Sequence, residues 1–308
     1  MKISSNFKQF KKKHLKKINQ VIFFSEKLKN KSVIEKLVNN FLKEKNSFVF
    51  ESVEKGKIRG RFTIFGKNPD KIWELNNNKV LKITNKKKTI LKVKPYFFLN
   101  QLIENFKFNT PKKLPPICSL LSGFFSYDII RYIEKIPNKC LNDLKLPDVR
   151  LMRPRSIIIH DNFEKKIHFI VNCYADEKIS NYKKKFSIIK KEILSLKKIS
   201  HFRNENLQKL KLSKKKLIIK SNISKKYFKQ IVRKAKKEIK IGNIFQVVLS
   251  QRFETKLNKN PLEIYKKLRI TNPSPFMFFF NFNDFQIIGA SPEILVRLRD
   301  NKITVRPI

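Results

Sequence analysis

Glycine is nearly missing from this chain, with 6 residues in 308. A phosphate- or dinucleotide-cradling loop concentrates glycine within a few positions, so that class of site is all but excluded. Cysteine is equally scarce. Cys118, Cys140 and Cys173 lie far apart, form no C-x-x-C and are odd in number. That argues against a disulfide framework or a zinc site and fits a reducing compartment. Long apolar runs are missing too. The basic start "MKISSNFKQFKKKHLKK" is followed only by "VIFF", too short for the apolar part of a signal peptide. No run approaches the ~20 residues of a membrane span. These absences together lead to the expectation of a soluble, cytoplasmic protein without a membrane partner. The four histidines, His14, His160, His168 and His201, match no triad or metal spacing, and Asp128, Asp284 and Glu293 have no paired acid at a readable spacing.

What is present is a folding composition. Apolar residues make up 41% and aromatics 12%, well above a disordered chain. A chain of this size buries roughly 75% of its unfolded surface, enough for one large domain or two ordinary ones. Acidic residues are the minority: 24 against 71 Lys and Arg, a net charge of +47. One reading is a nucleic-acid or anionic-membrane binder. The favoured reading is codon bias, because Lys, Asn, Ile and Phe are all abundant while Gly, Ala and Trp are scarce. The basic residues are also spread along the whole chain, not gathered into a stripe.

Periodicity divides the chain. Residues 1–45 read as helical, with Val21, Ile22, Leu28, Val33, Ile34, Leu37 and Leu42 as apolar positions. Residues 47–93 read as short strands, "SFVFESV", "GRFTIFG", "KIWEL" and "KVLKI", with "NNNK" as the loop between the last two. A helix follows Pro95. "SLLSGFFSYDIIRYIEKIP" predicts a turn near Gly123 and then a helix ending at Pro137. "RSIIIHDNFEKKIHFIVNCY" predicts a hairpin turning at Asp161-Asn162. "NYKKKFSIIKKEILSLKK" is an amphipathic helix, and the weak pattern after Ser200 is either an inter-domain connection or a long surface loop. Ser224 caps a helix ended by Gly242. "IFQVVLSQRF" predicts a strand. Asn260 and Pro261 open a helix carrying Leu262, Tyr265 and Leu268, which must end before Pro273. "PFMFFFNF" turns at Asn283-Asp284 into "FQIIG". The closing "SPEILVRLRDNKITVRPI" reads as two strands around a turn at residues 299–302, broken off in mid-strand as a fragment would be.

Three stretches have residue types that can do chemistry. Alternation in "IFQVVLSQRF" sends Gln246, Ser250 and Arg252 to one face, which is either a functional face or a strand side in water. "TNPSPFMFFF" has two prolines without N–H donors beside aromatics. Its free carbonyls suit an ammonium-bearing apolar ligand, or it is a rigid turn into a core strand. "FESVEKGKIRGRFTIFG" places Glu51 beside Ser52, able to hold an amino group or simply to begin a turn.

In order along the chain, "FVFESVEKGKIRGRFTIFG", "SGFFSYDIIRYIE", "LPDVRLM", "GNIFQVVLSQRF", "NPSPFMFFF", "GASPEILVR" and "ITVRPI" resemble the large subunit, component I, of anthranilate synthase. The resemblance implies an α+β fold with antiparallel sheets packed as a sandwich and helices outside. It implies an N-terminal regulatory domain over 1–205 and an incomplete chorismate-binding catalytic domain over 206–308. Members convert chorismate and glutamine-derived ammonia, with Mg²⁺, to anthranilate and pyruvate in tryptophan biosynthesis. Ammonia comes from a glutamine amidotransferase subunit, component II, in a heterotetramer, and L-tryptophan inhibits by feedback. The family's tryptophan pocket maps onto Ser52, Pro275, Phe276 and Met277 as contacts, with Glu51, Asn272, Pro273 and Gly289 close by. Phe50 stands where Leu is common and Phe276 where Tyr is common. The second change removes a hydroxyl and a hydrogen bond worth about 0.5–1.5 kcal/mol.

Gln246 falls where related chorismate enzymes that add water carry a lysine base. An amide cannot take a proton, which fits ammonia as the nucleophile and argues against an isochorismate synthase. The family's acid/base residues and magnesium-binding glutamates follow a segment that here stops at Pro307-Ile308. The 308 residues alone are therefore expected to be inactive and to hold no metal ligand. The large subunit of aminodeoxychorismate synthase is the alternative within the class, and a basic nucleic-acid-binding protein the alternative outside it.

Overall fold

The computed structural model describes residues 2–28, 33–52, 60–85, 87–139, 141–201, 218–257, 259–299 and 301–305. In chain order the elements begin with α1 (Phe7–Leu15), β1 (Gln20–Lys27), α2 (Val33–Phe41), β2 (Ser47–Glu51), β3 (Phe62–Asn76), β4 (Lys79–Thr84), β5 (Lys87–Leu91) and α3 (Pro95–Asn105). They continue with β6 (Ser122–Phe125), β7 (Val149–Asp161), β8 (Lys166–Cys173), α4 (Tyr182–His201), β9 (Lys220–Ser221), α5 (Lys225–Lys240) and β10 (Phe253–Glu254). Last come α6 (Pro261–Thr271), β11 (Phe276–Asn281), β12 (Gln286–Ser291), β13 (Val296–Arg299) and β14 (Lys302–Val305).

The chain forms two compact units, residues 1–205 with 264–308, and residues 206–263. The first is built on a ten-stranded antiparallel sheet in the order β1-β8-β7-β3-β2-β11-β12, with β4 on β3, β5 on β4 and β6 on β7. The antiparallel α+β expectation is met, and the described residues hold one large sheet with two separate two-stranded ribbons.

β3 organises the sheet. The sequence reads it as two strands, but it is one, with a register shift between Pro69 and Lys71. The shift accompanies a left-handed Asn68 at φ 53°. Its first half pairs β2 and its second half pairs β4, while β7 follows both halves. β3 turns into β4 through Asn77 and Asn78, both at positive φ, the backbone that a tight two-residue hairpin requires.

Alternation gives the sheet two faces. On one, Phe48, Ile64, Ile157, Ile159, Ile170 and Phe280 form a buried cluster beneath Leu114 and Cys118. On the other, Phe65 meets Phe41 of α2 edge to face, and Phe279 meets Tyr265 of α6. α4 buries Phe186, Ile189, Ile193 and Leu196, spaced three and four apart as one helical face requires.

Three expectations are corrected. Residues 20–27 are a strand, not part of a helix, because "QVIFFSEK" is β-branched and aromatic and pairs with β8 along its whole length. Residues 122–125 are strand and residues 127–132 only a 3-10 turn. A Cβ on Gly123 would stand 1.8 Å from the Arg150 carbonyl oxygen, so β6 can lie against β7 only because this residue has no side chain. The strand expected over "IFQVVLSQRF" is not formed. Only Phe253–Glu254 pairs, with the two residues of β9, and Phe245 is 98% exposed. No longer strand edge is offered to it among the described residues of its unit. The weakly patterned stretch after residue 201, Cys140, Gly56 and residues 306–308 lie outside the described residues.

Candidate functional site

β2 and β11 lie side by side, with Glu51 opposite Met277 and Phe50 opposite Phe278. This register brings residues 50–52 to residues 275–278 across more than two hundred positions of sequence. A cleft of about 760 Å³ opens there. Phe50, Phe278 and Ile64 line it, together with Ser52, Pro275 and Phe276. Arg61, Arg297, Arg299 and Glu293 supply its charge, and Pro292 and Ile294 also line it.

The eight residues assigned to the pocket separate into groups. Ser52, Pro275, Phe276, Met277 and Glu51 all line the cleft. Gly289 sits one strand away, on β12. It pairs with Phe278, and a Cβ there would lie 2.1 Å from the Phe278 ring. The missing side chain thus makes room for the ring that lines the cleft. Asn272 and Pro273 are exposed and do not line it. Asn272 closes α6 by donating its N–H to the Leu268 carbonyl, and buried Ser274 donates its hydroxyl to the Ser291 carbonyl, fixing the turn into β11.

Glu51 does not present a free carboxylate. Arg269 donates to both of its oxygens, each at 2.6 Å, and the Tyr265 hydroxyl donates at 3.0 Å. Tyr265 and Arg269 are four apart on α6 and so share a face. Burial alone would lower the Arg269 guanidinium, but its hydrogen bonds to Glu51 hold it above its ordinary value. Burial pushes the Tyr265 hydroxyl up, and the Glu51 charge adds to that. Glu51 therefore ties α6 to the end of β2, while Ser52, just past the end of that strand, lines the cleft.

Arg61, Arg297 and Arg299 were not picked out from the sequence. Arg297 and Arg299 alternate on β13, a signal lost among so many basic residues. Arg61 reaches Asp161 with its Nε at 3.1 Å and an Nη at 2.8 Å. Burial would raise Asp161, but Arg61 and the N–H groups of Glu164 and Phe163 hold it below the usual carboxylate range. Gln246 is exposed, in a stretch without regular secondary structure. Among the described residues no three His, Cys, Asp or Glu gather where a metal ion could sit, and no helix is long and apolar enough to cross a membrane.

Residues 45–308 match the family described as chorismate binding enzyme. The chain is 36% identical over 271 residues to anthranilate synthase component 1 of Cereibacter sphaeroides, covering 85% of this chain and 53% of that protein. It is 35% identical over 279 residues to the protein of the same name from Acetivibrio thermocellus, covering 88% and 56%. The crystal structure of anthranilate synthase component I from Streptococcus pneumoniae superimposes with a TM-score of 0.67 at 29% identity, over 82% of this chain and 55% of that one. The chain thus spans about half the length of the curated relatives it matches. The match over residues 45–308, and the fold that carries it, place the chain in the chorismate binding enzyme family.

Proposed function

We propose that the chain serves as the chorismate-binding large subunit of anthranilate synthase, with L-tryptophan bound in the β2–β11 cleft as feedback inhibitor. The reaction joins ammonia to chorismate as the ring hydroxyl leaves, and pyruvate is then eliminated. Ammonia comes from a glutamine amidotransferase component II in a cytoplasmic heterotetramer. Residues 1–205 act as the regulatory part and 206–308 open the catalytic part, with Gln246 on the catalytic side. The family's Mg²⁺ finds no fitting ligand set among the described residues.

One observation carries the regulatory half of this reading: the register that sets Ser52 and Phe276 about one cleft. The cleft has apolar walls for an indole. Ser52 and the Pro275 carbonyl suit the ammonium, and Arg297 and Arg299 suit the carboxylate. Glu51, already held by Arg269, acts as a strut. Calorimetric titration of L-tryptophan into the 308-residue chain and into Ser52→Ala tests it. Loss of one hydrogen bond predicts affinity weaker by roughly tenfold. Equal affinity in both rejects the assignment. The catalytic half is tested with component II, chorismate and glutamine, reading anthranilate by its fluorescence.

A further inference from the structure

A second cleft, of about 1260 Å³, lies along the same face of the large sheet. Cross-strand register runs from Ser25 to His168, from His168 to Ile159, from Ile159 to Ile64 and from Ile64 to Phe50. Ser25 and His168 thus line the second cleft at one end of a row whose other end, Ile64 and Phe50, lines the first. Arg61 and Phe62 line both clefts and form the wall between them. Residues 111–116 form its other side, with Leu114 buried into the sheet core.

The chemistry of this cleft differs from that of its neighbour. Phe23 and Phe62 give it aromatic surface, while the Phe24 ring stacks on Phe169 on the other face of the sheet. The half-buried Ser25 hydroxyl lies 2.8 Å from Nδ1 of the buried His168. Its acids are already engaged, Asp161 by Arg61 at 2.8 Å and Glu164 by Lys166 at 2.9 Å. Lys112 and Lys113 are exposed on the opposite side, and among the described residues no carboxylate pairs with either. Burial holds His168 below its ordinary value, so at neutral pH the surplus positive charge belongs to the lysines. Aromatic surface, a part-buried hydroxyl–imidazole pair and two adjacent exposed ammonium groups make a site for one kind of ligand.

We propose that this second cleft binds an organic anion: a carboxylate or sulfonate on an apolar body, its charge on Lys112 and Lys113 and its body against Phe23 and Phe62. The proposal does not depend on tryptophan binding in the first cleft. The probe is 8-anilinonaphthalene-1-sulfonate, titrated by its fluorescence into the full chain. The double variant Lys112→Glu, Lys113→Glu changes only exposed side chains and is expected to weaken binding by roughly tenfold or more. Lys183→Glu with Lys184→Glu, exposed on α4, alters net charge equally and is expected to change binding by less than about twofold. Equal weakening by both pairs would show attraction by overall charge and overturn the proposal. So would loss of binding in Arg297→Glu, Arg299→Glu with Lys112→Glu, Lys113→Glu unaffected, because the probe would then occupy the first cleft. Displacement by inorganic sulfate at the probe's own concentration would overturn the requirement for an apolar body.

Discussion

Two stretches with nearly the same apolar pattern end in opposite states. "SFVFE" over residues 47–51 becomes β2, with Phe48 and Val49 fully buried, paired on one side by β3 and on the other by β11. "IFQVVLSQ" over residues 244–251 alternates just as well, yet it forms no strand, and Val248 is 80% exposed. The difference is not in propensity. A strand satisfies its N–H and C=O groups only on a neighbour's edge. β2 enters a sheet with an edge on each side, whereas the described residues of the unit 206–263 offer the two residues of β9. α5 in that unit repeats the lesson. It is capped by Ser224, strongly amphipathic in sequence, and without a buried residue.

The contrast is broken most directly by truncating a phenylalanine in the large sheet. Phe48 is 0% exposed and contacts Phe50 and Phe280. Phe48→Ala is expected to destabilise by about 3–5 kcal/mol. Urea unfolding followed by the fluorescence of Trp73, the sole tryptophan and 4% exposed, measures it. A loss below about 1 kcal/mol would mean that the sheet core is not the tightly packed region described. Next comes Gly123→Ala. Its Cβ meets backbone, not a movable side chain, so β6 must shift from β7. Overpacking of this kind costs about 1–3 kcal/mol, read by the same unfolding curve.

These positions also show what could be read in advance. The β7–β8 hairpin, the Asn turn after β3, the Ser224 cap, the Pro261 helix start and the β11–β12 hairpin were all legible, because each depends on neighbours in sequence. Among the site residues, the nearness of Glu51 and Ser52 to the cleft was legible in the β2 stretch, whereas the turning of the Glu51 carboxylate toward α6 was not. Arg269 as the partner of Glu51 was not legible, since the two lie 218 positions apart and Arg269 is one of 71 basic residues. Nor was Gly123, where the strand depends on a carbonyl of β7. The fate of residues 244–251 was misread for the same reason: the pattern gives a tendency, and a partner decides it.

Acid sharpens the contrast within the large sheet. Burial lowers His160 and His168 below their ordinary values, so the unfolded chain takes up protons first. Stability is then complete above about pH 6.5 and falls as pH drops below it. Asp176 contributes lower down. Burial would raise it, but Arg153 and Lys71 hold it at about 2, against an ordinary value of 3.8. Its share is present above about pH 4 and is lost as pH falls toward 2. The urea midpoint read at Trp73 should therefore fall in two stages, and His168→Gln should reduce only the first. A midpoint flat from pH 7 to 5 would show that the two imidazoles are not held neutral.

The smallest expected effects lie in residues 206–263. The Ser224 hydroxyl accepts from the Tyr227 N–H at 3.1 Å, and Ser224→Ala is expected to cost about 1 kcal/mol of helix stability, read by circular dichroism at 222 nm. Phe245→Ala should do still less. With 98% of its surface in water, the ring has almost no burial to lose, so the change should stay within about 0.5 kcal/mol. This is the same substitution as at Phe48, made in a segment of the same pattern, and only the availability of a strand partner separates the two. If Phe245→Ala cost as much as Phe48→Ala, the ring would have to be packed in solution, and residues 244–251 would have found an edge after all.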